Sequence, residues 1–150
     1  MTVGVGFKQP LKGEDKGPSS SLAERKQKQI EALAQRATYE FRRGQFERAR
    51  MLGKYLHDVE GSPEGAKILA IASHQLGDED AAWRHYPAAY EAFPKDLNVI
   101  VGFAELCLNR IELDKAKELL TLALELDPEA RHPSGAKARL LIMRAEQSGK

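Results

Sequence analysis

The stretch that decides the fold is Ala81-Ala-Trp-Arg-His-Tyr-Pro-Ala-Ala-Tyr-Glu-Ala-Phe-Pro94. Within it Ala82, Tyr86, Ala89 and Pro94 form a ladder of small, large, small and helix-ending residues. The ladder recurs 34 positions on as Ala116, Leu120, Ala123 and Pro128 in AKELLTLALELDP. A fixed period of this length is the signature of a repeat architecture in which each unit is one supersecondary element. The spacing also has a direct physical meaning. An alanine at a helix crossing lets two backbones approach, and a large residue one turn later fills the space beside it. A second alanine keeps the same face narrow, and the proline ends the helix.

Working outward, the period extends upstream. Gly44 and Gly77 lie 33 apart, as do Ala49 and Ala82. Ser20 or Ser21 can cap a first helix, with Glu24 placed for a capping box. Ile30, Leu33, Ala37 and Phe41 follow at helical spacing up to Gly44. Further helices are expected over QFERARMLGKYLHDVE and EGAKILAIASHQLG, from Asp78 through Phe93, from Leu97 to Asn109, and from Asp114 to Leu126. A last one covers SGAKARLLIMRAEQ, with Ala136, Leu140, Ile142 and Met143 expected on its apolar face. Pro87 is expected to kink or unwind the fourth of these helices. No strand-length alternating run stands out, so the expected fold class is all-α, built of antiparallel helix pairs.

Bulk properties narrow the function. The 150 residues suit one domain, 42% hydrophobic and 30% charged. A net charge of +1 gives no electrostatic case for nucleic acid or an anionic membrane as partner. The single cysteine, Cys107, excludes an intrachain disulfide and suits a reducing compartment, so the expected location is cytoplasmic. It should be buried and inert. No apolar run approaches the roughly 20 residues of a membrane helix, and the N-terminus does not read as a Sec signal peptide. Residues 1–20, rich in Gly, Pro and Ser, are expected to be a flexible tail, and residues 21–150 the helical domain. Val3, Val5 and Phe7 in that tail could dock in a groove of this or another copy.

Catalytic chemistry is not expected. His57, His74, His85 and His132 are scattered and far from Cys107, so no metal site is expected. No phosphate loop, nucleophile elbow or dinucleotide fingerprint occurs, and no cofactor is implied. The cluster Asp78-Glu79-Asp80 sits at a helix start, where negative charge offsets the helix dipole. The basic run Arg25 to Gln29 has no interleaved aromatics and fits a solvated helix face. Trp83 is expected at an inter-helix contact or a convex-face partner.

The ladder resembles the tetratricopeptide repeat (TPR), whose pattern ends in A-x3-F, a small residue and Pro. The resemblance implies three repeats at about 30–62, 63–96 and 97–130, a capping helix at 134–148, and a short right-handed solenoid. Leu69-Ala70 and Phe103-Ala104 match the first-helix positions. The first repeat departs by Gly53 in place of a large residue, and the third by Ile111 in place of the mid-repeat glycine. In this family an extended peptide commonly lies on the concave face lined by first helices. By register that face carries Gln35, Thr38, Phe41 and Arg42 from the first pair. The second supplies Lys67, Ile68, Ile71, His74 and Gln75, and the third Asn98, Val101, Glu105, Leu108 and Asn109. Apolar positions among polar ones suit a client segment with spaced apolar anchors. The positions of the Lys/Asn clamp for chaperone tails hold Ala34 and Thr38, which disfavours that ligand.

Three repeats, a polar tail and a capping helix are together similar to the type III secretion chaperones of Gram-negative bacteria. YEFRRGQFERAR followed by ILAIASHQLGDEDAAWRHY carries this resemblance. It implies a non-enzymatic module that holds a secreted translocator or export-apparatus client. It also implies a possible homodimer through the leading helix, Leu22 to Phe41. The alternative is a permanent scaffold subunit of a pilus or outer-membrane assembly machine.

Overall fold

A computed structural model describes residues 21–148; the expected tail at 1–20, with Val3, Val5 and Phe7, lies outside the described residues. Seven helices follow one another: α1 (Leu22–Arg42), α2 (Phe46–Asp58), α3 (Pro63–Gln75), α4 (Glu79–Ala92), α5 (Leu97–Asn109), α6 (Leu113–Leu126) and α7 (Pro133–Ser148). The described residues contain no strand.

Local side-chain chemistry sets the helix boundaries. Ser21 Oγ accepts the Glu24 amide at 3.2 Å, and Ser62 Oγ accepts that of Glu64 at 3.2 Å. Asp78 accepts the Ala81 amide at 3.2 Å, and Asp96 accepts those of Asn98 and Val99 at 2.9 and 3.3 Å. Each bond satisfies a donor that the first helical turn leaves open. The first helix of each pair ends the same way. Gln45, Asp78 and Glu112 donate amide hydrogens to Glu40, Ser73 and Cys107 carbonyls at 2.8, 2.9 and 2.8 Å. This closing bond needs a left-handed residue just before its donor. Gly44 (φ +74°) and Gly77 (φ +83°) supply it cheaply, whereas in the third pair it falls on Ile111 (φ +62°).

Successive helices pack antiparallel, and α1, α3, α5 and α7 also touch in series, forming one wall backed by α2, α4 and α6. The opening ladder is the packing code between these layers. Ala49, Ala82, Ala89, Ala116 and Ala123 are fully buried, with Tyr86 and Leu120 beside them. Gly53, the departure in the first repeat, has its own reason. A Cβ there would stand 2.7 Å from Ile68 Cγ2 and 3.1 Å from the Leu69 amide nitrogen, so α2 and α3 meet too closely for a side chain. Cys107 is buried and its thiol pushed up to about 11 by burial, which keeps it protonated and unreactive.

Two expectations need correction. α4 does not unwind at Pro87; the helix continues to Ala92. Pro87 is exposed while Tyr86 and Ala89 beside it are buried, so packing on the inner face holds the helix across one missing hydrogen bond. The apolar face of α7 is also rotated from the expected one. Ala138, Leu141 and Ala145 are buried against α5 and α6, and Ile142 of the expected face packs partly buried beside the core, while Ala136 is exposed, as are Leu140 (68%) and Met143 (55%). A terminal helix has neighbours on one side only, and the narrow alanine face is what fits there.

Candidate functional site

The wall of first helices encloses a cavity of about 570 Å³. Its apolar floor is Ile68 and Ile71 of α3 with Val101 of α5, bounded by Phe41 at the end of α1. Ile68 and Val101 are 5% and 2% exposed, so they belong to the packed core and show only an edge. Thr38, Lys67, His74, Asn98 and Glu105 complete the expected set that reaches the cavity, with Arg42 and Gln75 at its margin.

Leu108 does not line it; it is 5% exposed within the main core, one turn beyond Glu105 on the buried side of α5. Gln35 lines a smaller adjoining hollow between α1 and α3. Asn109 lies outside the cavity lining, bonded to Glu79 and Arg144.

Five lining residues come from positions that the first-helix register missed or did not assign. Phe46 opens α2 and stands 6.0 Å from the Phe41 ring. Tyr86 reaches in from α4, Gly102 sits on α5, and Ser134 and Lys137 come from α7. Tyr86 was legible only as a packing residue, because its hydroxyl emerges on the far side of the layer it fills. At Gly102 a Cβ would meet the Tyr86 hydroxyl at 2.2 Å.

The polar groups form a connected chain. Tyr86 is 1% exposed, stacked on Phe103 at 5.6 Å between ring centres, and its hydroxyl lies 3.0 Å from His74 Nδ1. Burial pushes its phenol pKa up, so it stays protonated and hydrogen-bonds Nδ1. The other ring nitrogen, Nε2, faces Glu105 Oε1 at 3.7 Å. The same oxygen takes Lys137 Nζ at 2.8 Å. Burial lowers the His74 pKa and Glu105 works against it, so the imidazole is held neutral. At the other margin Lys67 bridges to Asp96, the cap of α5, and lies 5.2 Å from the Phe93 ring centre. Ser134 Oγ donates to Asn98 Oδ1 at 2.8 Å, tying α7 to α5.

This arrangement offers an apolar floor and a rim of fixed donors and acceptors, the profile of a binding site. Among the described residues no group of His, Cys, Asp or Glu could hold a metal ion. No helix there is long and apolar enough to cross a membrane.

No family model and no curated protein matches the sequence. Solved structures do match. One is the Yersinia enterocolitica type III secretion chaperone SycD in complex with a peptide of the translocator YopD. It has a TM-score of 0.67 and 19% identity over 82% of this chain and 96% of that one. The chain has the TPR-like helical-repeat fold of this structure. A second structure of SycD gives a TM-score of 0.67 at 22% identity, covering 80% and 85% of the two chains. A third, described as an alternative dimer, gives 0.66 at 19%, covering 81% and 94%. In this fold the cavity of the chain occupies the wall of first helices.

Proposed function

We propose that this protein is a cytoplasmic chaperone of the type III secretion translocator class, which holds an extended apolar segment of a client protein until export. The observation that carries the reading is the cavity. It combines a floor of Ile68, Ile71 and Val101 with a rim of His74, Glu105, Lys67 and Asn98. A floor of this kind takes spaced apolar side chains, and the rim takes main-chain groups of an extended segment. The fold is that of SycD, which binds a translocator peptide. The leading helix supplies a second surface. Residues 21–29 are all exposed, Leu22 at 77%, and this overhang suits pairing with a second copy. The module does no chemistry in this reading; it keeps a sticky segment from aggregating or assembling early.

The test is capture with the intact protein from its native lysate, read by mass spectrometry, beside Ile71→Glu. Ile71 is half-buried at the cavity and packs on the core from one side only. A single dominant secreted or membrane-inserting protein, lost with Ile71→Glu at unchanged helicity, is the expected result. A fixed set of machinery subunits in constant ratio would overturn the reading in favour of a scaffold.

A further inference from the structure

The cavity does not end at its floor residues. It continues into a hollow of about 220 Å³ between α1 and α3, and the two share Thr38, Lys67 and Ile68. The hollow runs toward the start of α1, past Glu31 and Glu64. Neither carboxylate pairs with a cation among the described residues. Glu31 takes a 3.5 Å bond from Gln27, and Glu64 accepts from Ser62 at 3.2 Å. An apolar cavity is thus joined by a hollow carrying two carboxylates to the middle of α1, ten residues from Ser21, where description begins.

The 20 residues before Ser21 carry a matching order of side chains. Val3, Val5 and Phe7 alternate with Gly4 and Gly6, and Lys8 and Lys12 follow. In extended form, alternate residues face one way, about 7 Å apart, so three apolar groups would span about 13 Å. Neighbouring helices of a packed wall lie about 8–10 Å apart, so that span covers one helix-to-helix step, such as that from Ile68 and Ile71 on α3 to Val101 on α5. The intervening glycines let a backbone approach closely. Reach suffices as well. Ser21 to Thr38 is about 26 Å along α1 at 1.5 Å per residue, and the 13 residues from 8 to 20 cover up to about 43 Å.

We propose that Val3, Val5 and Phe7 of the same chain occupy the cavity when no client is present, with Lys8 and Lys12 lying along Glu31 and Glu64. The proposal rests on the cavity being the client site, and it makes the N-terminal segment a built-in competitor. A client then displaces an occupant instead of filling an open apolar groove, and the empty chaperone hides its own sticky surface.

The experiment uses the full chain without client, labelled at isoleucine and valine methyls for NMR. Val3→Asp/Val5→Asp/Phe7→Asp should shift the Ile68, Ile71 and Val101 methyl signals, while those of Ile100 in the core stay in place. A synthetic peptide of residues 1–12 added to this variant should return the shifted signals toward their wild-type positions. A tether holds such a segment at an effective concentration on the order of 1 mM. If the free peptide dissociates at about 0.1 mM, it should bind the variant about ten-fold more tightly than the wild type. Glu31→Lys/Glu64→Lys should reproduce the shifts in part. Coincident cavity signals in wild type and triple variant would overturn the proposal. So would wild-type signals that move on fifty-fold dilution, which would place the segment in a second copy. No client enters this measurement, so a negative result overturns the docking of residues 3–7 and leaves the client reading standing, whereas failure of the capture experiment removes the competitor role and leaves the measured docking in place.

Discussion

Ile111 offers the sharpest test of the repeat geometry. It is a β-branched residue at φ +62°, in the position that glycine holds at 44 and 77. Left-handed backbone costs an L-residue about 1–2 kcal/mol, and a branched Cβ lies at the upper end. The side chain returns little, because it is 74% exposed. Full burial of isoleucine is worth about 1.5–3 kcal/mol, so its covered quarter contributes about 0.5 kcal/mol. Asparagine tolerates this conformation best among residues with a side chain, and it avoids the extra unfolded-state freedom of glycine. Ile111→Asn should therefore stabilise the protein by about 1 kcal/mol, a rise of about 2–4 °C in Tm for a chain of this size. Gly77→Ile is the mirror experiment. No atom lies within 4 Å of a Cβ placed at Gly77, so conformation alone acts there and a loss of about 1–2 kcal/mol is expected. Urea denaturation with an unchanged m-value reads both. A loss of stability in Ile111→Asn would refute the reasoning, because it would mean that contacts of Ile111 outweigh its backbone strain.

Three further outcomes follow from the same structure. Gly102→Ala should cost about 1–3 kcal/mol, since its Cβ would meet the Tyr86 hydroxyl at 2.2 Å; loss of the near-ultraviolet signal of the Tyr86–Phe103 stack reports the displacement. Ala82→Trp or Ala116→Trp should unfold the domain, because both sites are fully buried at helix crossings; a normal melting curve would contradict the register. His74 has a folded pKa below its unfolded value of 6.5, so the unfolded chain binds more protons just below that pH. Its contribution to stability is complete above about 6.5 and is lost as the pH falls through the lower folded value. Urea midpoints between pH 7.5 and 5 should fall less steeply in His74→Gln.

The sequence by itself determined the helices and their pairing. Capping Ser and Asp residues and Gly44 and Gly77 act through contacts a few residues apart, and the alanine ladder repeats at a fixed period, so their meaning survives without coordinates. It also marked most of the cavity, because first-helix residues on one face stay together once the helices stack. Tertiary structure decided the rest. Leu108 sits one turn past Glu105 in the core, a choice set by how far α5 turns against α6 and α7. Tyr86 crosses from the outer layer to the cavity because Gly102 leaves room for its hydroxyl. The apolar face of α7 follows Ala138, Leu141 and Ala145 and leaves Leu140 and Met143 in solvent. Hydropathy ranks the larger residues first, but a helix that closes a stack is placed by which face lets it approach its neighbour, and that depends on the neighbour's shape.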